Sequence, residues 1–339
     1  MDFLQKIKAK RDINFVVLAG TYNNPKRFIQ NSNIKALVPY NGKPMIIPVI
    51  EAIMPYAQKI VVCGNARLLE EGIVKHIKKN ADKIVFVDET ADLYKKLIAK
   101  DIGFLRSIRG IRKTVQGDMN DALNIITNAI NASIMLNSVN DFFFVLGCDI
   151  PDINEQLMAT LLDDFSFCLE NDIKLKGKPS SFYISLGNIV FENYYNLKKR
   201  KRPPLVLNQN LQVRIGNIHL LNLANILKTA NIKKIFHAIN KRKLKDHPFK
   251  SFLFSLKIFT LKDYIEVCKL LFNIQKYYNN NYFLKPFSYF KIEEKKVLAV
   301  LSNFFGFEIQ FVHTVGSDDI DTDEEYYAKL QSKTIGSSD

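Results

Sequence analysis

The stretch INFVVLAGTYNNPKRFIQNSNIKALVPYNGKPMIIPVIEAI at residues 13–53 sets the terms for the rest of the chain. It opens with Ile13–Leu18, a short apolar run rich in β-branched residues, which suits a buried strand better than a helix. Ala19-Gly20 breaks that strand into a polar loop; Lys35-Ala36-Leu37-Val38-Pro39, a turn at Asn41-Gly42 and a helix-like run Met45–Ile53 follow. A strand feeding a small-residue loop and then a helix presents backbone N–H groups to a phosphate. Further apolar runs, KIVVC at Lys59–Cys63, KIVFV at Lys83–Val87 and DFFFVL at Asp141–Leu146, read as buried strands. Between them 68–79, 90–112 and 119–132 read as helices. This alternation predicts an α/β fold with a doubly wound, mostly parallel sheet covered on both faces.

Beyond residue 155 the pattern is a helix to about 170, then strands at SFYISL (181–186) and Val213–Leu221, the latter interrupted by Gly216-Asn217. Residues 223–300 turn helical, basic and aromatic, and FEIQFV at Phe307–Val312 returns to strand. The expected organisation is a core over 1–222, a helical insertion or subdomain over 223–300, a return to the core over 301–332 and a tail at 333–339.

The 339 residues include 48 basic and 34 acidic side chains, a net charge of +14 that suits anionic partners but equally fits a Lys-, Ile- and Asn-rich proteome. For the helical stretch 223–300, basic amphipathic helices also raise peripheral contact with an anionic membrane, whereas nucleic acid is not expected. Cys63, Cys148, Cys168 and Cys268 show no CxxC spacing, which fits free thiols in a reducing cytoplasm. The start, MDFLQKIKAKRD, lacks a signal-peptide apolar core, and no run reaches the ~18 uncharged apolar residues of a membrane span. Walker, GxSxG and GxGxxG motifs are absent, which removes P-loop, hydrolase and NAD readings. The five histidines show no ligand spacing.

The order LAG, loop, KALVP, GKPM, VIEA resembles the N-terminal signature of MobA-like and sugar-phosphate nucleotidyltransferases, whose fold is GT-A-like. The resemblance implies transfer of NMP from an NTP to a phosphorylated acceptor, a sugar or alditol phosphate, with release of pyrophosphate. Charge then builds on phosphoryl oxygens, where a fixed ammonium and a cradle of N–H groups stabilise it. Carried over by position, the nucleotide would be met by Leu18, Ala19, Gly20, Thr21, Arg27 and Lys35, although the loop reads LAGTYNNPKR where the family has LAGGxGTR. Removing Lys35 is then expected to stop turnover and leave the fold intact. Gln116, Gly117, Asp118 and Asn120 resemble the QGTxxAL segment that reads the base, and Gly-Asp before a helix is also an ordinary N-cap.

The resemblance also implies Mg²⁺. Asp149, in a GDxP-like turn after the strand DFFFVL, is the catalytic metal ligand carried over, and Asp319-Ile320-Asp321-Thr322 resembles the family's DxDTPED. Of that pair Asp319 is favoured, since Asp321-Thr322 also suits capping of a helix at 323–330. Gly216, Asn217 and Arg202 are the acceptor candidates, with the basic loop 198–202 equally readable as a solvated face. Two other functions fit the fold. A GT-A glycosyltransferase would want a DxD motif where this chain has Cys148-Asp149-Ile150-Pro151-Asp152; a nucleotide-binding protein without turnover would tolerate the glycine-poor loop.

Overall fold

The computed structural model describes residues 2–21, 28–88, 135–136, 142–188, 205–207, 211–222, 225–226, 293–315, 319–320 and 323–335. Its principal elements are α1 (Phe3–Lys8), β1 (Ile13–Ala19), a 3-10 turn (Lys35–Leu37), β2 (Pro39–Tyr40), β3 (Lys43–Pro44), α2 (Ile46–Ile53), β4 (Ala57–Gly64), α3 (Ala66–Ile73) and β5 (Ile84–Asp88). There follow β6 (Phe142–Gly147), α4 (Glu155–Lys176), β7 (Phe182–Asn188), β8 (Leu205–Leu207), β9 (Leu211–Asn222), α5 (Glu294–Phe305), β10 (Ile309–Val315) and α6 (Asp323–Ile335). The chain divides into two compact units: Met1–Pro179 with Asn217–Ala224 and Ser317–Asp339, and Ser180–Gly216 with Asn225–Gly316.

In the first unit β1 lies between β4 and β6 and runs parallel to both, with β5 parallel on the far side of β4. The end of β9 runs antiparallel to β6, from Ile218 opposite Leu146 to Asn222 opposite Phe142. Side chains alternate faces along a strand, yet Phe15–Val17, Ile60–Cys63 and Phe142–Leu146 are buried without a break. Both faces of this sheet are therefore covered, as parallel strands require. Phe15 stacks on Phe144 at 5.6 Å, and Phe144 meets Phe165 of α4 edge-on at 5.0 Å. Each ring so buried stabilises the fold by roughly 1.5–3 kcal/mol. Helix α4 starts at Asn154, whose side chain accepts from the Leu157 N–H at 2.8 Å, and stops at Gly177, which adopts the left-handed φ of 73°. That glycine stops the helix at Lys176, beyond the end expected near 170.

The four apolar runs read as strands are β1, β4, β5 and β6, each shifted or lengthened by one to three residues. The helix expected over 68–79 is α3 followed by a single 3-10 turn, Val74–His76. Those expected over 90–112 and 119–132 lie outside the described residues, as does the stretch 223–300 apart from 225–226 and 293–300. Among the described residues no helix is long and apolar enough to cross a membrane.

The second unit holds the parallel pair β7–β10, in register from Phe182 opposite Ile309 to Asn188 opposite Val315, and the antiparallel pair β8–β9. Leu186, Val213, Val297 and Phe311 form its core, with Ile184, Leu298 and Leu301 packed at the edge. At the start of α5 the Glu294 Oε2 lies 2.8 Å from His313 Nε2 on β10. The carboxylate holds the imidazole pKa above its ordinary 6.5, against the opposing pull of partial burial. A pKa raised by folding stabilises the protein fully below the unfolded value and loses that effect as pH rises through the folded one. His313→Gln should therefore lower the urea midpoint most below about pH 6.5, with the deficit shrinking in more alkaline buffer. A deficit that grew with pH would show that the pair works the other way.

Candidate active site

Strands β1 and β6 end side by side. Leu18 pairs with Gly147, and the Cys148 N–H donates to the Leu18 carbonyl at 3.2 Å. Ala19, Gly20 and Thr21 thus leave one strand end and Asp149 leaves its neighbour, at the carboxyl edge where open α/β sheets take their ligands. Into this edge the 3-10 turn delivers Lys35, with its ammonium 3.2 Å from the Ile320 carbonyl and 3.5 Å from Asp149 Oδ2. The Ile320 N–H donates in turn to the Asp149 carbonyl at 2.9 Å. The three residues close a ring, with Asp319 buried one position upstream.

Lys35 is 1% exposed, and its partner carboxylate 14%. The carboxylate folds back over Gly147, where a Cβ would stand 2.6 Å from Asp149 Oδ1 and 3.9 Å from the Asn217 Cβ. Beside it Cys148 is no nucleophile: burial pushes its thiol pKa up and the Asp149 charge pushes it further, against the weaker pull of Lys35. Burial likewise pushes Cys63 up to about 12. Asp149 and Asp319 offer carboxylate oxygens, the hard donors Mg²⁺ prefers, and it needs only one or two of them beside substrate phosphates and water. Among the described residues no cluster of three or more His, Cys, Asp or Glu gathers as a self-sufficient metal cage.

A second set of polar contacts braces this ring, and the sequence reading did not anticipate it. Asp152 accepts from the Tyr40 hydroxyl at 3.0 Å on one oxygen and from Lys329 on the other. The Tyr326 hydroxyl donates to the Pro39 carbonyl, and burial raises the pKa of this phenol, with Tyr327 adding to the effect. Beneath them Ile29, Val38, Tyr40, Met45, Ile320 and Tyr326 form one apolar cluster with Leu330 at its edge. The signal was present in α6: Tyr326, Lys329 and Leu330 share a helix face at i, i+3, i+4 spacing.

Of the residues singled out from sequence, Leu18, Ala19, Gly20, Thr21, Lys35, Asp149 and Asp319 stand at this edge, and Asn217 adjoins Gly147. Gly216 belongs to the second unit, and a Cβ there would stand 2.2 Å from Ser185 Oγ, so the close approach it permits is made by the protein's own side chain. Arg27, Gln116, Gly117, Asp118, Asn120, Arg202 and Asp321 lie outside the described residues.

A parallel sheet with flanking helices, a lysine and a carboxylate meeting at its carboxyl edge, and a strand-to-loop entry beside them make an α/β domain of the GT-A-like class. Residues 15–170 match the model of the MobA-like NTP transferase domain. A hypothetical transferase from Thermus thermophilus has a TM-score of 0.51 at 17% identity, covering 93% of this chain and 99% of its own, a likeness of fold. HddC from Yersinia pseudotuberculosis, solved with GMP-PN, gives 0.42 at 13% identity, covering 95% and 99%. The 4-diphosphocytidyl-2C-methyl-D-erythritol synthase of Anaerococcus prevotii gives 0.40 at 10%, covering 96% and 98%. No curated protein matches the chain in sequence.

The burial of Lys35 revises what its removal should do. An ammonium 1% exposed and bonded to a largely buried carboxylate is part of the core as well as of the site. Breaking such a pair leaves the other charge uncompensated, at a cost of about 3–5 kcal/mol. Lys35→Ala should therefore be less stable than wild type by that order in urea unfolding, and a midpoint unchanged from wild type would show that the pair is not a structural one.

Proposed function

We propose that the protein transfers a nucleotidyl group from an NTP to a phosphorylated acceptor, a sugar or alditol phosphate, and releases pyrophosphate. An acceptor phosphate oxygen bonds to the α-phosphorus, the bond from that phosphorus to the bridging oxygen breaks, and pyrophosphate leaves with the electron pair. The observation that carries this reading is the buried Lys35–Asp149 pair at the carboxyl edge of a MobA-like NTP transferase domain. A cation already stripped of water acts on phosphoryl charge far more strongly than a solvated one, and it need not reorganise during the reaction. The Ala19–Thr21 exit supplies backbone N–H groups for the phosphates. Asn217, beside Gly147, offers an amide donor and acceptor to the acceptor substrate.

Asp149 and Asp319 are the residues that would hold Mg²⁺, which when bound would neutralise charge on the triphosphate. The base-reading role of Gln116, Gly117, Asp118 and Asn120, the phosphate roles of Arg27 and Arg202, and a metal role for Asp321 stay parts of this proposal. A reducing cytoplasm suits the free thiols Cys63, Cys148 and Cys168. Peripheral membrane contact was read from residues 223–300, which apart from 225–226 and 293–300 lie outside the described residues. The glycosyltransferase alternative is weakened because Asp152, the carboxylate it would recruit beside Asp149, is engaged by Tyr40 and Lys329.

The test is pyrophosphate release with Mg²⁺, offering each of the four NTPs with a panel of sugar, alditol and amino-alcohol phosphates. One pairing should turn over, and Asp149→Asn should slow it by about a hundredfold or more, as losing a site's main charge stabiliser does. Nucleotide binding without release in any pairing would favour a binding protein instead.

A further inference from the structure

Lys35 rides on an arch, the segment Gln30–Pro39, which holds little regular structure of its own. It includes Ser32, which bridges to Ile29 just upstream, and the 3-10 turn Lys35–Leu37, and it begins with Gln30 and Asn31 at left-handed φ of 50° and 60°. The Ile29–Ser32 backbone bonds close this turn locally, and a contact from outside the arch holds it as well. Helix α6 supplies that contact. The Tyr326 hydroxyl accepts from Gln30 Nε2 at 3.1 Å and donates to the Pro39 carbonyl, so one oxygen ties the two ends of the arch together. The Gln30 N–H is fixed a second time, by Asp323 Oδ1 at 2.7 Å. Between the clipped ends Lys35 reaches Ile320, three residues ahead of the same helix.

We propose that Tyr326 is a positioning residue for Lys35: its hydroxyl clips the arch shut and so holds the ammonium against Asp149 and Ile320. The consequence for rate rests on the reading of Lys35 as the cation that serves the phosphates; the clip itself does not. Tyr326→Phe is a clean probe, because the ring keeps its packing against Tyr40 and Tyr327 and only the hydroxyl is lost.

Two readouts separate the clip from the chemistry. The first is acetylation of the folded full chain by trace acetic anhydride, followed at each lysine by mass spectrometry with exposed Lys79 as internal reference. In Tyr326→Phe, Lys35 should react about tenfold faster than in wild type, the extra opening that losing one hydrogen bond of ordinary strength allows. Tyr327→Phe, the half-exposed neighbour, should leave the rate unchanged. Where Tyr326→Phe fails to fold, Gln30→Met removes one of the two bonds and should show the same change in smaller measure.

The second readout is pyrophosphate release per folded molecule. Tyr326→Phe should lower kcat by about tenfold while the nucleotide KM stays within about threefold, the pattern of an interaction needed mainly in the transition state. A purely structural tyrosine would speed labelling of other part-buried lysines, Lys59 and Lys83, along with Lys35 and leave kcat per folded molecule unchanged. Lys35 reacting at the wild-type rate in a folded Tyr326→Phe or Gln30→Met chain overturns the proposal, as does an unchanged kcat. A wild-type chain that releases no pyrophosphate overturns the nucleotidyl-transfer reading instead, and the acetylation result still decides the clip.

Discussion

Everything at the carboxyl edge of the first unit depends on an ammonium placed where it has almost no water. Removing a charge from water costs several kcal/mol per ion even after the protein relaxes, and only close, well-directed partners offset that. Lys35 has such partners in the Asp149 carboxylate and the Ile320 carbonyl. Each comes from a different part of the chain. Strand β6 ends where Asp149 is needed, the arch before β2 presents the lysine, and the segment ahead of α6 supplies the carbonyl. The hydrogen bond from Ile320 N–H to the Asp149 carbonyl ties the last of these to the first. Sheet, arch and closing helix are thus constrained by one buried charge.

This arrangement joins stability to chemistry. A desolvated cation beside a carboxylate is a costly object in a core, and it is also what a site needs where negative charge builds during phosphoryl chemistry. The same burial explains why Cys148 stays a thiol although it adjoins the lysine. Around the pair a second layer, formed by Tyr40, Asp152, Tyr326 and Lys329, uses polar atoms to fix loop backbone whose own conformational preferences are weak. Asp152 shows how close two roles lie: three positions after the proposed metal ligand, a carboxylate has become a bracket for the closing helix.

Much of the sheet was legible, because buried parallel strands leave short uncharged runs that few other structures require; β1, β4, β5 and β6 were read from these alone. Lys35, Asp149 and Asp319 were legible through a motif order. What could not be read was the burial of Lys35, which is created by a carbonyl 285 positions away in the chain. The clip at Tyr326 and the bracket at Asp152 join residues 296 and 177 positions apart, and local periodicity carries no information about such pairs. Gly216 was read as an acceptor candidate, but the space beside it is taken by Ser185 across the strands, which the sequence does not reveal. The length of α4 was set by Gly177, whose helix-stopping conformation a propensity reading passed over.

The nucleotidyl-transfer proposal requires a nucleoside triphosphate to place its phosphates at the Lys35–Asp149 edge. A crystal structure of the protein with a non-hydrolysable NTP analogue and Mg²⁺ tests it most directly. An analogue phosphate oxygen should lie within about 3.2 Å of Lys35 Nζ, ordinary hydrogen-bond reach, and Mg²⁺ within about 2.1 Å of an Asp149 oxygen. A triphosphate bound elsewhere, with Lys35 still sealed between Asp149 and Ile320, would contradict it.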